Sequence, residues 1–278
     1  MNEQTDTPVV AFVGGGNMAR SLIGGLVARG TDPGRIRVAD RNAGNREQLA
    51  ADFGVECFPT PAEAVDGADY WVLAVKPQGM RAVCNDLAGL ARQLRPVAVS
   101  VAAGITSRQV SDWLGGAMPV VRAMPNTPSL LGAGMTGLYA NTHVEDYQRD
   151  RAGELLEAVG EVEWIDDEAL MDSVTGVSGS GPAYIFLLAE ALADAGARQG
   201  LPRGVAAKLA NQTILGAARM LAESGEDAAT LRRKVTSKGG TTQAGIEAFE
   251  DGGLRALVDR AVDAATRRGA ELSAANDE

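Results

Sequence analysis

The sequence predicts an α/β chain in two parts: a parallel-sheet domain over residues 8–166, then an all-helical domain over 167–274. Three observations carry that expectation. Short apolar runs alternate with helical patterns through the first half, which is the rhythm of βαβ units. The first run, Val9–Val13, stops at a glycine cluster that opens a helix at once. After Thr142 helical patterns take over.

Val9–Val13 is apolar throughout, as a strand covered on both faces must be. Gly14, Gly16 and Ala19 then fill the pattern G-x-G-x-x-G/A. Gly14 allows the tight turn out of the strand. Gly16 has no Cβ, so a pyrophosphate can approach the backbone, and Ala19 is small enough for the helix to pack on the strand. The helix start offers N–H groups and a positive dipole end to the anion. Strand, turn and helix arrive in the order a Rossmann-type dinucleotide-binding domain needs. Arg35–Asp40 is the second strand. Asp40 ends it, about where a ribose-binding acid sits, which favours NAD. Arg41 and Asn42 follow, and Arg41 can pair with a 2′-phosphate in bidentate fashion, which favours NADP. The two signals oppose each other, and the other reading of Arg41 is a solvated turn residue.

Tyr70–Val75 is a third apolar strand, and Pro96–Ala102 and Pro119–Met124 repeat the pattern. Met80–Leu94 and Ser107–Leu114 are helical stretches between them. Strand C-termini in such sheets face the ligand crevice. Ala74, Val75, Lys76 and Pro77 fall there, with Lys76 able to touch a ribose or phosphate. Ala103 and Asn126 end the next two strands on the same edge, where small residues leave room for a nicotinamide ring.

In the second half, Val144–Val159 is amphipathic and Glu161–Ile165 reads as one last strand at the sheet edge. Helices are expected over Pro182–Arg198, Pro202–Glu223, Thr241–Glu250 and Leu254–Leu272, with Pro182 and Pro202 in first turns that tolerate proline. The tail Ser273–Glu278 is expected to fray. Pro182–Arg198 is apolar nearly all round, so it is expected to bury itself against a second subunit; the other reading is a central helix of a monomeric bundle. Two glycine turns precede helices, one around Ser178 and one running Ser237-Lys238-Gly239-Gly240-Thr241-Thr242. Backbone N–H groups with hydroxyls suit a carboxylate, although Ser and Thr before a helix also serve as caps. Two adjacent glycines go beyond what capping needs.

The 278 residues carry a net charge of −10 and only 4 % aromatics, which argues against nucleic-acid and anionic-membrane partners. Met1–Pro8 lacks the basic and apolar blocks of a signal peptide, and no apolar stretch is long enough to span a bilayer. Cys57 and Cys84 are isolated, as expected of core thiols in a reducing cytoplasm. His143 is the single histidine and sits in a polar stretch. Acid–base chemistry on histidine and a His metal site are therefore not expected, no metal is predicted, and the chemistry falls to a cofactor.

At this point the chain resembles pyrroline-5-carboxylate reductases. The matching segments, in order, are Phe12–Ala19, Ala74–Gln78, Ser100–Thr106, Arg122–Pro128, Val174–Tyr184 and Val235–Thr242. The resemblance implies reduction of the cyclic imine L-1-pyrroline-5-carboxylate to L-proline, with NADPH as the expected donor and NADH as the alternative. It implies a homodimer, which many members assemble into larger rings. By the same match, Asn17 and Met18 are cofactor-loop residues, and Ala74–Pro77 contact the nicotinamide ribose. Ser178, Ser237, Gly239, Gly240, Thr241 and Thr242 then face the substrate, with Thr242 placing a hydroxyl near the ring nitrogen. Lys238 stands where many members carry proline, and the Asn frequent ahead of the Ala-Val-Lys-Pro strand appears as Pro61 or thereabouts.

A protonated imine already carries positive charge, so its reduction calls for orientation and water exclusion more than for a strong acid. Two rivals differ from this reading. A β-hydroxyacid dehydrogenase would carry a lysine on the helix after a glycine turn, where Tyr184, Ile185 and Phe186 stand. A non-catalytic NADP sensor would have no use for the second glycine loop.

Overall fold

The computed structural model describes residues 8–276. The expectations for Met1–Pro8, Pro8 apart, and for Asp277 and Glu278 lie outside the described residues. Two compact units emerge: one runs to Ser180 and also takes in the C-terminal segment from Ala264, the other spans Gly181–Asp263.

In the first unit, strands β1 (Val10–Val13), β2 (Ile36–Ala39), β3 (Glu56–Phe58), β4 (Tyr70–Leu73), β5 (Val97–Ser100), β6 (Val120–Met124), β7 (Gly134–Ala140) and β8 (Gly160–Trp164) make one sheet. Its order is β3-β2-β1-β4-β5-β6-β7-β8. The first six strands are parallel; β7 runs antiparallel to β6, and β8 parallel to β7. The expected edge strand at 161–165 is present as β8, which ends the sheet. Strands β3 and β7 were not foreseen. The first is three residues long, too short for a period. The second carries Gly134 and Gly137 and reads as a loop. Its glycines answer to packing, since a Cβ on Gly137 would lie 2.6 Å from the Val174 side chain.

Alternate strand residues feed two cores, one on each face. Phe12, Val38, Val72 and Val99 point to one side, and Ala11, Trp71, Leu73 and Ala98 to the other. That double coverage is why the strands read as unbroken apolar runs. Helices α1 (Asn17–Ala28), α2 (Ala43–Phe53), α3 (Pro61–Val65), α4 (Pro77–Leu94), α5 (Ser107–Trp113), α6 (Asp146–Glu157) and α7 (Met171–Val174) complete this unit, followed by a π-helical turn over Thr175–Gly179. The starts follow the caps. Thr106 and Gln109 form a reciprocal capping box at α5, and Pro77 takes the first turn of α4.

The second unit holds α8 (Gly181–Arg198), α9 (Arg203–Glu223), α10 (Ala228–Lys234), α11 (Thr241–Asp251) and the first part of α12 (Leu254–Ala274). Although α8 is rich in apolar residues, none of them is buried within the chain; Phe186 is 66 % and Leu187 65 % exposed. The same holds for Leu209 on α9, Phe249 on α11 and Leu257 on α12. Exposed apolar area on this scale marks a protein–protein surface. The tail differs from expectation. Ser273 is buried and its carbonyl accepts from Gln109 Nε2 at 3.0 Å, while Asn276 Nδ2 donates to the Gly104 carbonyl at 3.1 Å. Those bonds satisfy the end of α12, so 273–276 is docked rather than frayed. No helix among the described residues is long and apolar enough to cross a membrane.

Candidate active site

The strand order reverses direction at β1, which has β2 on one side and β4 on the other. Ligands bind at such switch points, beyond the strand C-termini. A cleft of about 320 Å³ lies there, lined by Gly14, Gly15, Gly16, Asp40, Arg41, Ala74, Val75 and Lys76 among others. Gly14 has φ +104°, and a Cβ there would lie 2.7 Å from the Ala74 carbonyl oxygen. Its N–H donates to Ala39 O at 2.8 Å, fixing the turn across the sheet. A Cβ on Gly16 would meet nothing within 4 Å, so that face is open to a ligand. Gly16 is also the N-cap of α1, which no side chain caps and whose first turn, from Asn17 and Met18 to Ala19, holds no acid. First-turn N–H groups without intrahelical acceptors, at the positive end of a helix, suit a pyrophosphate. The cleft therefore fits a dinucleotide on the chain's own geometry.

Asp40 is tied into the loop. Its Oδ2 accepts from Gly15 N at 2.9 Å, and its Oδ1 from Asn42 N at 2.7 Å. Both oxygens are thus directed into backbone. Asn42 uses its side-chain oxygen to cap α2 through Asn45 N at 3.3 Å. Arg46 donates to the carbonyls of Asp40 and Arg41. Arg41 itself is exposed, lines the cleft, and makes no ion pair among the described residues. Asp40 is held by backbone donors, while the Arg41 side chain stands at the cleft, where a group meeting a 2′-phosphate would stand. Arg41→Ala is expected to weaken NADPH by roughly 1.5–3 kcal/mol, the worth of a charge-assisted contact, and NADH far less. Fluorescence titration with both cofactors checks this, and equal losses would return Arg41 to solvent.

Across the cleft, Ala74 and Val75 follow β4, and Lys76 is the N-cap of α4, with Pro77 in the first turn. Lys76 is exposed, and Ala103 lies in the turn after β5. Asn126 is placed differently from a simple ligand contact. It is buried, its Nδ2 donates to the Ser178 carbonyl at 3.1 Å, and its Oδ1 accepts from Met135 N at 3.0 Å. It braces the end of β6 against the following segment. The expected glycine turn around Ser178 is present and leads into α8. It is the π-helical turn, where Ser178 Oγ donates to Val174 O at 3.3 Å. Gly179 is small because a Cβ there would lie 2.5 Å from Met124 Cε.

The other glycine loop lies in the second unit. Gly239 takes φ +72°, and its N–H donates to Gln243 Oε1 at 2.7 Å. Gly240 donates to Ser237 O at 3.0 Å and is the N-cap of α11, with no side chain capping it. Capping thus does not account for the hydroxyls of Ser237, Thr241 and Thr242, all of which are exposed. The backbone donors left for an anion are those of the first helical turn rather than Gly239.

Sequence reasoning missed a buried ionic cluster. Arg122, on β6, is 4 % exposed; its Nη2 lies 2.8 Å from Asp172 Oδ1 and its Nη1 3.6 Å from Glu168 Oε1. Glu168 also accepts from the N–H and the hydroxyl of Ser107, each at 2.6 Å. A lone Arg inside an apolar strand was the available signal. The other titratable candidates fit the reading of a cofactor-run site. His143 is an exposed loop residue whose N–H donates to Asn141 Oδ1. Burial pushes the Cys84 thiol up to about 12, and burial also raises Cys57 against the pull of Arg46. Neither is a thiolate nucleophile.

Comparison with known proteins agrees with this geometry. Residues 168–272 match the family model described as pyrroline-5-carboxylate reductase dimerisation, and residues 9–104 match NADP oxidoreductase coenzyme F420-dependent. A pyrroline-5-carboxylate reductase of Pseudomonas aeruginosa is 52 % identical over 96 % of this chain and 97 % of its own length. The solved structure of a pyrroline-5-carboxylate reductase from Coxiella burnetii superposes with a TM-score of 0.93 at 42 % identity, covering 96 % of this chain and 99 % of that one. A Plasmodium falciparum pyrroline carboxylate reductase, solved with NADP bound, gives a TM-score of 0.83 at 26 % identity, covering 96 % and 99 %. With relatives this similar along nearly the whole length, and with a glycine cradle at the switch point, the chain belongs to the pyrroline-5-carboxylate reductase family.

Proposed function

We propose that this chain is a cytoplasmic oxidoreductase that reduces L-1-pyrroline-5-carboxylate to L-proline, the last step of proline biosynthesis. NADPH is its preferred donor and NADH a weaker one. Carrying this reading is the pairing, in one member of this family, of two features. One is the cleft at β1, open at Gly16. The other is a hydroxyl-rich start to α11 that no side chain caps. A hydroxyacid dehydrogenase or a sensor has no use for that pair.

When bound, the nicotinamide supplies the hydride. The chain's residues hold and orient. Gly14 and Gly16 give the pyrophosphate access to the N–H groups of Asn17, Met18 and Ala19. Arg41, beside Asn42, meets the 2′-phosphate. Ala74, Val75, Lys76 and Pro77 take the nicotinamide ribose, with Ala103 and Asn126 lining the ring's side of the sheet. Ser178, Ser237, Gly239, Gly240 and Thr241 form the substrate's surroundings, in which first-turn N–H groups of α11 take the carboxylate. Thr242 holds the ring nitrogen through its hydroxyl. The imine enters protonated, so no side chain has to deliver a proton in the hydride step, and the absence of a suitably placed histidine costs nothing.

The apolar, unburied face of α8 supports a homodimer, and the family's habit of ring assembly extends to this chain as a ring of dimers. The test is imine-dependent oxidation of NADPH, followed at the nicotinamide absorbance, with light scattering on the same sample at micromolar concentration. Turnover by a species of dimer mass or larger is expected. No turnover would remove the function, and a fully active monomer would remove the shared interface.

A further inference from the structure

We infer that Arg122 is a positioning residue. With Glu168 and Asp172 it forms a buried ionic clasp that fixes the end of β6 against the Ser178–Gly179 turn, and so sets the geometry at which the imine is reduced. The inference rests on the imine-reductase reading above.

Four pieces of chain are joined through this cluster, two of them at the guanidinium and two through its carboxylate partners. Arg122 comes from β6. Glu168 and Asp172 come from the segment by which the chain leaves the first unit. Glu168 holds the first residue of α5 through both polar groups of Ser107. Asp172 in turn carries the segment by which the chain returns: a Cβ on Gly269 of α12 would lie 3.2 Å from Asp172 Oδ1 and 3.3 Å from its Cβ. Beyond the clasp, β6 and the leaving segment are stitched twice more. Met124 packs on Gly179, and Asn126 Nδ2 donates to Ser178 O at 3.1 Å. The clasp thus fixes the register of two stretches that the functional reading places beside the ligands.

Stability alone is a weak reason for such a cluster. Desolvating three charges consumes most of what their attraction returns, and well-packed apolar residues serve as well or better. What an ionic clasp adds is direction. The planar guanidinium donates one hydrogen bond to Asp172 at 2.8 Å and faces Glu168 through its other terminal nitrogen at 3.6 Å, and its rigid fork fixes those two directions relative to each other. The phosphate-binding part of the cleft, at the glycine turn after β1 and at Arg41 after β2, lies away from β6 in the strand order, so the clasp should bear on turnover, through the nicotinamide end beside Asn126, far more than on overall NADPH affinity.

Three mild variants and one severe one test this. Asp172→Asn keeps an oxygen for Arg122 and removes the charge. Gly269→Ala keeps every charge and presses the returning helix off Asp172. Arg122→Lys keeps the charge and one of the two arms. Arg122→Met strands two carboxylates and can fail to fold; in that event the other three carry the test. The measurements are kcat per NADPH-binding site, KM for the imine, and the Kd of NADPH by fluorescence. In folded Asp172→Asn, kcat/KM for the imine should fall about 10- to 100-fold, the cost of a misplacement on the order of 1 Å; in Gly269→Ala, where Asp172 lies 3.2 Å from the added Cβ and need give only slightly, the fall should be smaller, about 2- to 10-fold. The Kd of NADPH should stay within about two-fold, and Arg122→Lys should retain more activity than Arg122→Met. Unchanged kcat and KM per binding site in all three mild variants overturns the inference, whatever happens to Tm. So does a Kd for NADPH that worsens in step with kcat. A wild type inert on the imine overturns the functional reading and this inference with it; an active wild type with unaltered variants overturns this inference alone.

Discussion

Gly16→Val is expected to abolish useful binding of the nicotinamide cofactor while leaving the fold intact. The structure makes this a clean test. Gly16 sits at φ −70° and ψ −175°, extended backbone that any residue adopts. A Cβ there meets nothing within 4 Å, so valine displaces no protein atom. Its two methyls project instead over the uncapped N-terminus of α1. A pyrophosphate then loses both its approach and the dipole's help, and the Kd of NADPH should rise roughly 100-fold or more. Melting should move little, as for a surface change worth within about 0.5 kcal/mol. Gly14→Ala is the instructive contrast. It puts a side chain on φ +104° and drives a Cβ to 2.7 Å from Ala74 O, so it should lose fold and binding together. Calorimetric titration with NADPH on the folded valine variant decides the matter. Unchanged affinity would mean that the cleft at β1 is not where the cofactor binds.

The contrast between these two glycines shows what a sequence discloses. The pattern at 14, 16 and 19 was legible because each position has a separate steric job: Gly14 takes a positive φ close against Ala74, Ala19 is fully buried, and Gly16 leaves open the face proposed for the pyrophosphate. The parallel strands were legible because cover on both faces makes them apolar throughout. What stayed hidden was set by contacts distant in sequence. Strand β7 hid behind glycines whose smallness serves other segments, Gly134 that of Ser129 and Val159 and Gly137 that of Val174. The glycine turn near Ser178 was legible, but its π-helical form and the packing of Gly179 on Met124 were not. The bonds that the Asp40 carboxylate accepts from the N–H groups of Gly15 and Asn42 were hidden too, since only folding brings Gly15 there. Arg122 figured only as the start of a matching segment, and its ionic role stayed hidden, since its partners stand at 168 and 172. Local chemistry can be read from spacing; who meets whom across the sheet cannot.

Thr242→Val is expected to slow the hydride step while leaving cofactor binding untouched. Thr242 is exposed near the start of α11, and its hydroxyl is not used as a cap. Valine keeps the β-branched shape and the backbone preference. It removes only the group proposed to hold the ring nitrogen, while the first-turn N–H groups proposed for the carboxylate remain. An imine held at one end pivots, and its reacting carbon is less often aligned for hydride transfer. Loss of one such positioned group costs on the order of 10–1000-fold in kcat/KM. Thr242→Ala should behave like valine, because both lack the oxygen. Thr242→Ser should recover most of the activity, because it restores the hydroxyl. The Kd of NADPH should stay at the wild-type value in all three, since the cofactor cleft lies in the other compact unit. Steady-state kinetics with the imine varied at saturating NADPH separates the outcomes. A fall in kcat rescued by serine assigns the role to the oxygen. Full activity in the valine variant would assign Thr242 to packing and leave orientation of the ring nitrogen to another acceptor of the loop.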